Sequence, residues 1–397
     1  MAGAAAPPAR PGARDFRPIE LIALIFVVCT GFSSQMVMPL WIGAIIDDLS
    51  LTQSAAGTVA SVEFAAVAVV SIIVALQVQR FKALPTVMVG MALLLSGNLL
   101  AAFADSAATL TTWRVMAGCG KGLVVAITFS LAAGTIHPTR TFAMLNGAYA
   151  LFSMIFYLSV PPFIAMSGAS GAFLMMAGVA AVGGVMLFWF PDRPMKASEL
   201  QKLSLRDVPV FGYVALAALI ILWIGHNAVW TFIERLGTRV DLTIGQIGMV
   251  LSVSAFLTIG GPALARIIDT RWGHTNPIVL ATALKILAVL ALVYVPLTWV
   301  YASMVPVFLI LALFIVPYVM GILSLADPAG RLAAASSAAM TAGGSLGALV
   351  GGVTADGLGY TGLAWVSGGH FIVVIVLIAG IATTLKLRGS AAASTAS

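Results

Sequence analysis

The chain of 397 residues is 61% hydrophobic and 9% charged, with a mean hydropathy of +1.08 and a formal net charge of +6. Soluble domains carry about 25% charged residues, so this chain has too little charge to coat a water-facing globule. The two cysteines, Cys29 and Cys119, both lie in apolar runs and support neither a disulfide framework nor a thiolate metal site.

Crossing about 30 Å of hydrocarbon as a helix takes about 20 apolar residues. After a short tail at 1–18, expected to be disordered, the first six such runs fall at 19–45, 54–78, 83–104, 108–135, 141–166 and 170–190. The first is too long for a signal peptide and is followed by many more, so no cleavage is expected. It carries Ser33, Ser34 and Gln35. Glu63 lies about 14 Å into the second run, and Lys121 falls at a similar depth in the fourth. An ionisable group at that depth must face a partner or a cavity. Glu63 and Lys121 could therefore share a salt bridge, either static or as a proton-coupling pair in which the carboxylate alternates between the lysine and a proton. Arg114 lies seven residues before Lys121 on the same face, with Gly118 and Thr128 continuing the stripe. Its excess positive charge suits an anionic solute; the alternatives are a structural or proton-relay role. The fifth run presents Asn146, Tyr149, Ser153 and Tyr157 on one face.

The segment "RVMAGCGKGLVV", 114–125, does not form a phosphate loop: Val115 stands where the first glycine is needed, and Gly122 follows the lysine where Ser or Thr is needed.

The longest polar insert, 191–209, links the first six runs to six more at 210–235, 243–265, 276–296, 299–323, 333–354 and 362–385. In the seventh, Trp223, His226, Asn227, Trp230 and Glu234 share one helical face, with His226, Asn227 and Trp230 turned to a central path and Glu234 reaching solvent at the outer interface. Lys285 and His370 fall mid-span in the ninth and twelfth runs, without an assigned role. Gly343, Gly347 and Gly351 recur every four residues, a stripe for close helix packing. A tail follows at 387–397.

With the N-terminus inside, the inner segments hold fifteen basic residues (Arg10, Arg14, Arg17, Arg80, Lys82, Arg140, Arg193, Lys196, Lys202, Arg206, Arg266, Arg271, Arg331, Lys386 and Arg388), whereas the outer segments hold two, Arg235 and Arg239. That bias places both termini in the cytoplasm and explains the net charge by topology rather than by nucleic acid. Arg140 opens the fifth run and Arg331 the eleventh, 191 residues on. The expected fold is all-α and polytopic: twelve transmembrane helices in two pseudo-symmetric six-helix bundles, 19–190 and 210–386.

Three motifs carry a family resemblance: "MVMPLW" (36–41), "RVMAGCGKG" (114–122) and "ARIIDTRWGH" (265–274). The chain resembles the major facilitator superfamily, specifically its twelve-span drug/proton antiporter and sugar-efflux branch. The first-half loop departs from the family pattern at Gln79 and Lys82, and "YLSVPPFIAMSG" (157–168) keeps Pro161 but lacks the glycines of that branch's fifth span. The resemblance implies a cytoplasmic gate in which Asp269 and Arg271 latch the outward-facing state; ordinary topology-setting charges are the alternative.

His137, His226, His274 and His370 are scattered without metal-ligand spacing, so neither a membrane enzyme, a metal site nor a cofactor is expected. The expected activity is secondary active transport of a small organic solute, an organic anion among the candidates, by a monomer in the inner membrane. Proton-coupled efflux is the expected mode, with proton-coupled uptake or facilitated transport of an organic acid or sugar as the alternative. A non-transporting solute sensor is the distant alternative. Glu63 and Lys121 would serve the proton, while Arg114, Gln35, Tyr149, Ser153, His226, Asn227 and Trp230 would serve the solute.

Overall fold

Apolar sequence in lipid must satisfy its backbone internally, and helices do so. A computed structural model describes residues 15–193, 208–327 and 330–395; most of the expected tail at 1–18 and of the linker at 191–209 lies outside them. Among the described residues there is no strand. The helices are α1 (Pro18–Met36), α2 (Met38–Asp48), α3 (Gln53–Leu76), α4 (Ala83–Ala101), α5 (Ala107–Ala133), α6 (Pro138–Met186), α7 (Val210–Trp230), α8 (Ile233–Thr238), α9 (Ile244–Leu257), α10 (Gly260–Ile268), α11 (Thr275–Tyr294), α12 (Thr298–Ala326) and α13 (Arg331–Thr395).

Among the described residues, ten candidate spans are long and apolar enough to cross a membrane. Two of them, α6 and α13, are double length and break inside at Gly168 (φ +60°) and Gly359 (φ +66°), which is consistent with twelve crossings. Only glycine takes that conformation at little cost. A Cβ on Gly168 would also stand 1.8 Å from Asp48 Oδ2, the atom that accepts the Ala169 backbone N–H after the break.

The first and seventh spans are each interrupted. Pro39 opens α2, and at the break Trp41 Nε1 donates to the Ser34 carbonyl at 2.9 Å. The seventh span ends at Trp230, and α8 is a separate short helix beyond it.

The predicted repeat is written into the helix ends. Thr52 caps α3 through the Ala55 N–H, and Thr243 caps α9 through the Gln246 N–H, 191 residues later. The two breaking glycines have the same separation, 359 − 168 = 191.

Within the bundles, small residues set the helix spacing. Along α5, Gly118 faces the Glu63 carbonyl of α3 and Gly120 the Gly90 carbonyl of α4; a Cβ would come within 2.6 and 2.5 Å of them. On α13, Gly343, Gly347 and Gly351 seat against the α7 carbonyls of Ile220, Ile224 and Ala228. The glycine stripe packs as its spacing predicted.

Candidate functional site

Glu63 on α3, Arg114 on α5, Asn98 on α4 and Ser34 on α1 converge in the first bundle. Arg114 Nε and Nη2 both donate to Glu63 Oε2, at 3.0 and 2.6 Å, and Nη1 donates to Asn98 Oδ1 at 2.7 Å. The Ser34 hydroxyl donates to the other Glu63 oxygen. The guanidinium carbon lies 5.2 Å from the ring centres of both Trp41 and Phe173, and Arg114 has no exposed surface. The Glu63 ion pair expected with Lys121 is therefore made with Arg114 instead. Two cations lie two turns apart on one face of α5, and Gly118 between them lets the Glu63 backbone of α3 approach that face. Sealed in this box, Arg114 has no surface to offer a solute in this conformation, contrary to its expected binding role.

Lys121 is 1% exposed, and its ammonium donates to Gln35 Oε1 at 2.9 Å. Phe32 and Phe64 flank it with ring centres 5.4 and 5.1 Å away. Tyr149 stands edge-on to Phe32 at 5.5 Å. Among the described residues no carboxylate makes a salt bridge to Lys121. Lys121 thus sits between the Gln35 amide and two aromatic rings, with Tyr149 packed behind Phe32. Ser153, by contrast, spends its hydroxyl on the Tyr149 carbonyl of its own helix at 2.8 Å.

In the second bundle the sequence left Lys285 without a role, and the structure supplies one. Its ammonium lies 3.1 Å from His226 Nδ1, donates to the Phe308 carbonyl at 3.0 Å and sits 3.7 Å from the centre of the Phe308 ring. His226 stacks on that ring at 4.6 Å and packs edge-on against Trp223 at 5.0 Å. The partners lie on α7, α11 and α12, so no spacing within one helix could have signalled the cluster. Asn227 donates to the Trp223 carbonyl of its own helix at 3.0 Å, and Trp230 meets Tyr157 of the other bundle edge-on at 6.4 Å.

The bundles touch along two matched seams. A Cβ on Gly57 of α3 would lie 2.4 Å from the Ala348 carbonyl of α13, and one on Gly248 of α9 would lie 2.4 Å from the Tyr157 carbonyl of α6. Both separations, 248 − 57 and 348 − 157, are 191. One turn further along, Ser345 Oγ donates to the Ser61 carbonyl at 2.8 Å, and Ser252 Oγ donates to the Met154 carbonyl at 3.0 Å. Ser61 and Ser252, like Met154 and Ser345, are again 191 apart.

Beyond the seams, Asp356 of the second bundle accepts the Gln53 and Ser54 N–H groups that open α3, both at 2.8 Å. Gln53 Nε2 donates to Tyr360 Oη at 3.0 Å. Arg235 crosses the other way, bidentate to Asp47 at 2.9 and 2.7 Å. Glu234 is buried in this contact, 3% exposed, rather than solvated as expected. These contacts lie at the end of the bundles that also carries Thr52 and Thr243. Asp269 and Arg271 are exposed at the opposite end, where neither side chain forms a hydrogen bond or ion pair among the described residues; the expected latch is not engaged in this conformation. No group of three or more His, Cys, Asp or Glu suited to a metal occurs among the described residues.

A family model described as Major Facilitator Superfamily matches residues 23–344. No curated protein matches by sequence. Among solved structures, the nucleoside transporter NupG superposes with a TM-score of 0.73 at 14% identity, covering 93% of this chain and 100% of its own. A mutant of the peptide transporter POT gives 0.73 at 13% identity, covering 92% and 95%. A bacterial homolog of the human lysosomal transporter Spinster, inward-facing and unoccupied, gives 0.68 at 14% identity, covering 92% and 95%. At these identities the likeness is one of fold.

Proposed function

The chain belongs to the Major Facilitator Superfamily, and on that premise we propose that it moves a small organic anion across the inner membrane by alternating access, with proton-coupled efflux as its mode. The observation that carries the substrate class is Lys121. Its charge is buried near the middle of its helix, its polar partner is a neutral amide, and the nearest carboxylate, Glu63, is committed to Arg114. Removing a charge from water without a counter-charge is costly. A carboxylate on the solute would supply that counter-charge, displacing Gln35, with Tyr149 and Phe32 forming the wall. From the second bundle, Trp230 meets Tyr157 of the first, while His226 and Asn227 spend their polar groups on Lys285 and the Trp223 carbonyl.

Glu63 is the proton carrier in this reading, alternating between Arg114, in place of the expected Lys121, and a proton. The efflux direction rests on the "MVMPLW" and "RVMAGCGKG" motifs. Orientation rests on the fifteen-to-two distribution of basic residues, which makes the closed seam the outer gate and this conformation inward-facing.

The test has two arms. In liposomes under an imposed pH gradient, Glu63→Gln should lose gradient-driven flux while keeping solute counterflow; full gradient-driven accumulation by the variant overturns the coupling role. In detergent, organic acids should raise the unfolding temperature of wild type but not of Lys121→Met. Stabilisation by neutral or cationic compounds alone overturns the substrate class.

A further inference from the structure

Glu234 lies on α8, just beyond the crossing helix α7, and its buried Oε2 accepts no hydrogen bond among the described residues. Its Oε2 presses on the first bundle so closely that a Cβ on Gly43 would stand 2.1 Å from it. Arg235 Nε is 3.1 Å from the same oxygen but misaligned, and neither atom has a hydrogen-bond partner. The other guanidinium nitrogens serve Asp47 of α2 and the Gly43 carbonyl. Around this cluster, α12 contributes Tyr301, whose hydroxyl donates to the Ile233 carbonyl at 3.0 Å. From α13 comes Tyr360, 5.9 Å beneath the Arg239 guanidinium. Asp48 is turned away to the Ala169 N–H, and α9 contributes the apolar Ile247. One cation therefore faces two carboxylates, and its aligned bonds go to Asp47 and the Gly43 carbonyl, none to Glu234.

We propose that Glu234 is a second, gate-linked proton site: it holds a proton while Gly43 is closed over it and releases that proton to water when α2 and α8 part. This rests on the alternating-access reading above. One proton is taken up per closure and given back per opening. Burial pushes the Glu234 carboxyl up to about 7, against the pull of Arg235 and with the push of Asp47. Once hydrated it returns toward the ordinary glutamate value of about 4.3. The raised value belongs to the closed state, so closure is fully favoured below the ordinary value and loses that advantage as pH rises through about 7. Acid on this face therefore holds the seam shut.

The test uses the full chain in nanodiscs, in a Cys29→Ala, Cys119→Ala background. Spin labels go on Asp105→Cys and Leu297→Cys, exposed positions preceding α5 and α12 in the two bundles. Between pH 5 and 8 the ratio of long to short label distances should rise at least about tenfold. Glu234→Gln should stay short at both pH values. Asp47→Asn frees Arg235 for Glu234, so its response should persist with a midpoint at lower pH. A wild-type distance indifferent to pH, a response surviving in Glu234→Gln, or a response abolished in Asp47→Asn overturns the proposal. No solute enters the readout, so a wrong substrate class leaves it intact. A Gly57→Leu wedge on the same label pair should lengthen the distance at every pH. If the wedge responds and wild type ignores pH, Glu234 alone is wrong; if the wedge also does nothing, the alternating-access reading fails with it.

Discussion

Arg114 grips Glu63 through a single carboxylate oxygen, by two donors at 3.0 and 2.6 Å, and the pair is closed off from water. Breaking such a pair from one side leaves a bare buried charge, at a cost of about 3–5 kcal/mol. Arg114→Leu should therefore unfold at a much lower temperature than wild type. The double variant Arg114→Leu, Glu63→Leu should recover most of the loss, because no charge is stranded. A double variant no more stable than Arg114→Leu would mean that the packing of the arginine, and not its charge, was lost. Differential scanning calorimetry in detergent measures both.

The two seams should respond alike to a wedge. Leucine at Gly57 must push against the Ala348 carbonyl, and leucine at Gly248 against the Tyr157 carbonyl. Overpacking of this kind costs about 1–3 kcal/mol, and it falls on the closed arrangement alone. Each variant should shift the bundles toward parting at the Asp356 end, raising the labelling rate of a cysteine introduced at Ser61. Protection unchanged in either variant would separate the seams and remove the argument for their equivalence.

Lys121→Met should weaken anion binding by about 10- to 100-fold, the range for losing a charged hydrogen bond, with little effect on folding because no carboxylate is left behind. Lys121→Arg should keep part of the affinity. Titration calorimetry with the stabilising acid checks both, and equal affinities in wild type and Lys121→Met would remove Lys121 from the site.

Asp327, at the C-terminal end of α12, gives an acid signature. The Arg331 guanidinium beside it and the Leu332 N–H hold its carboxyl down at about 2. Its ordinary value is 3.8, so the contribution is present above that value and lost as pH falls from 3.8 toward about 2. The difference in unfolding temperature between wild type and Asp327→Asn should be full at pH 6 and should close by pH 2; a difference that stays constant over that range would refute the assignment.

The fold was readable because lipid imposes it. A crossing helix must be about 20 apolar residues long, and the half-to-half echo seen at Arg140 and Arg331 recurs in the structure at Thr52 and Thr243 and at Gly168 and Gly359. The breaks at Val37 and Trp230 were hidden, because an apolar run does not reveal where a helix is interrupted. The site was legible as a set of buried polar residues but not as a set of pairs. Depth placed Glu63 opposite α5 yet could not choose between Arg114 and Lys121, since both lie on one face. Lys285 defeated sequence reasoning for a related reason. Its partners are an imidazole, a backbone carbonyl and aromatic rings on other helices, none of which leaves a charge pattern near position 285. Sequence alone puts Glu234 in water because it ends an apolar run, whereas the bundle contact that buries it comes from Gly43, 191 residues earlier in the chain.

The matched serine contacts, Ser61 with Ser345 and Ser252 with Met154, have a mechanical consequence. In the proposed alternating-access cycle, a rotation about the line joining them would turn α3 as a lever with unequal arms. Ser61 lies eight residues from the Gln53 end and fifteen from Leu76, or about 12 Å and about 22 Å at 1.5 Å per residue. The same swing therefore sweeps the Leu76 end almost twice as far as the Gln53 end. A small parting at Asp356 is enough to break its bonds to α3, while the far mouth travels the distance needed to admit or expel a solute.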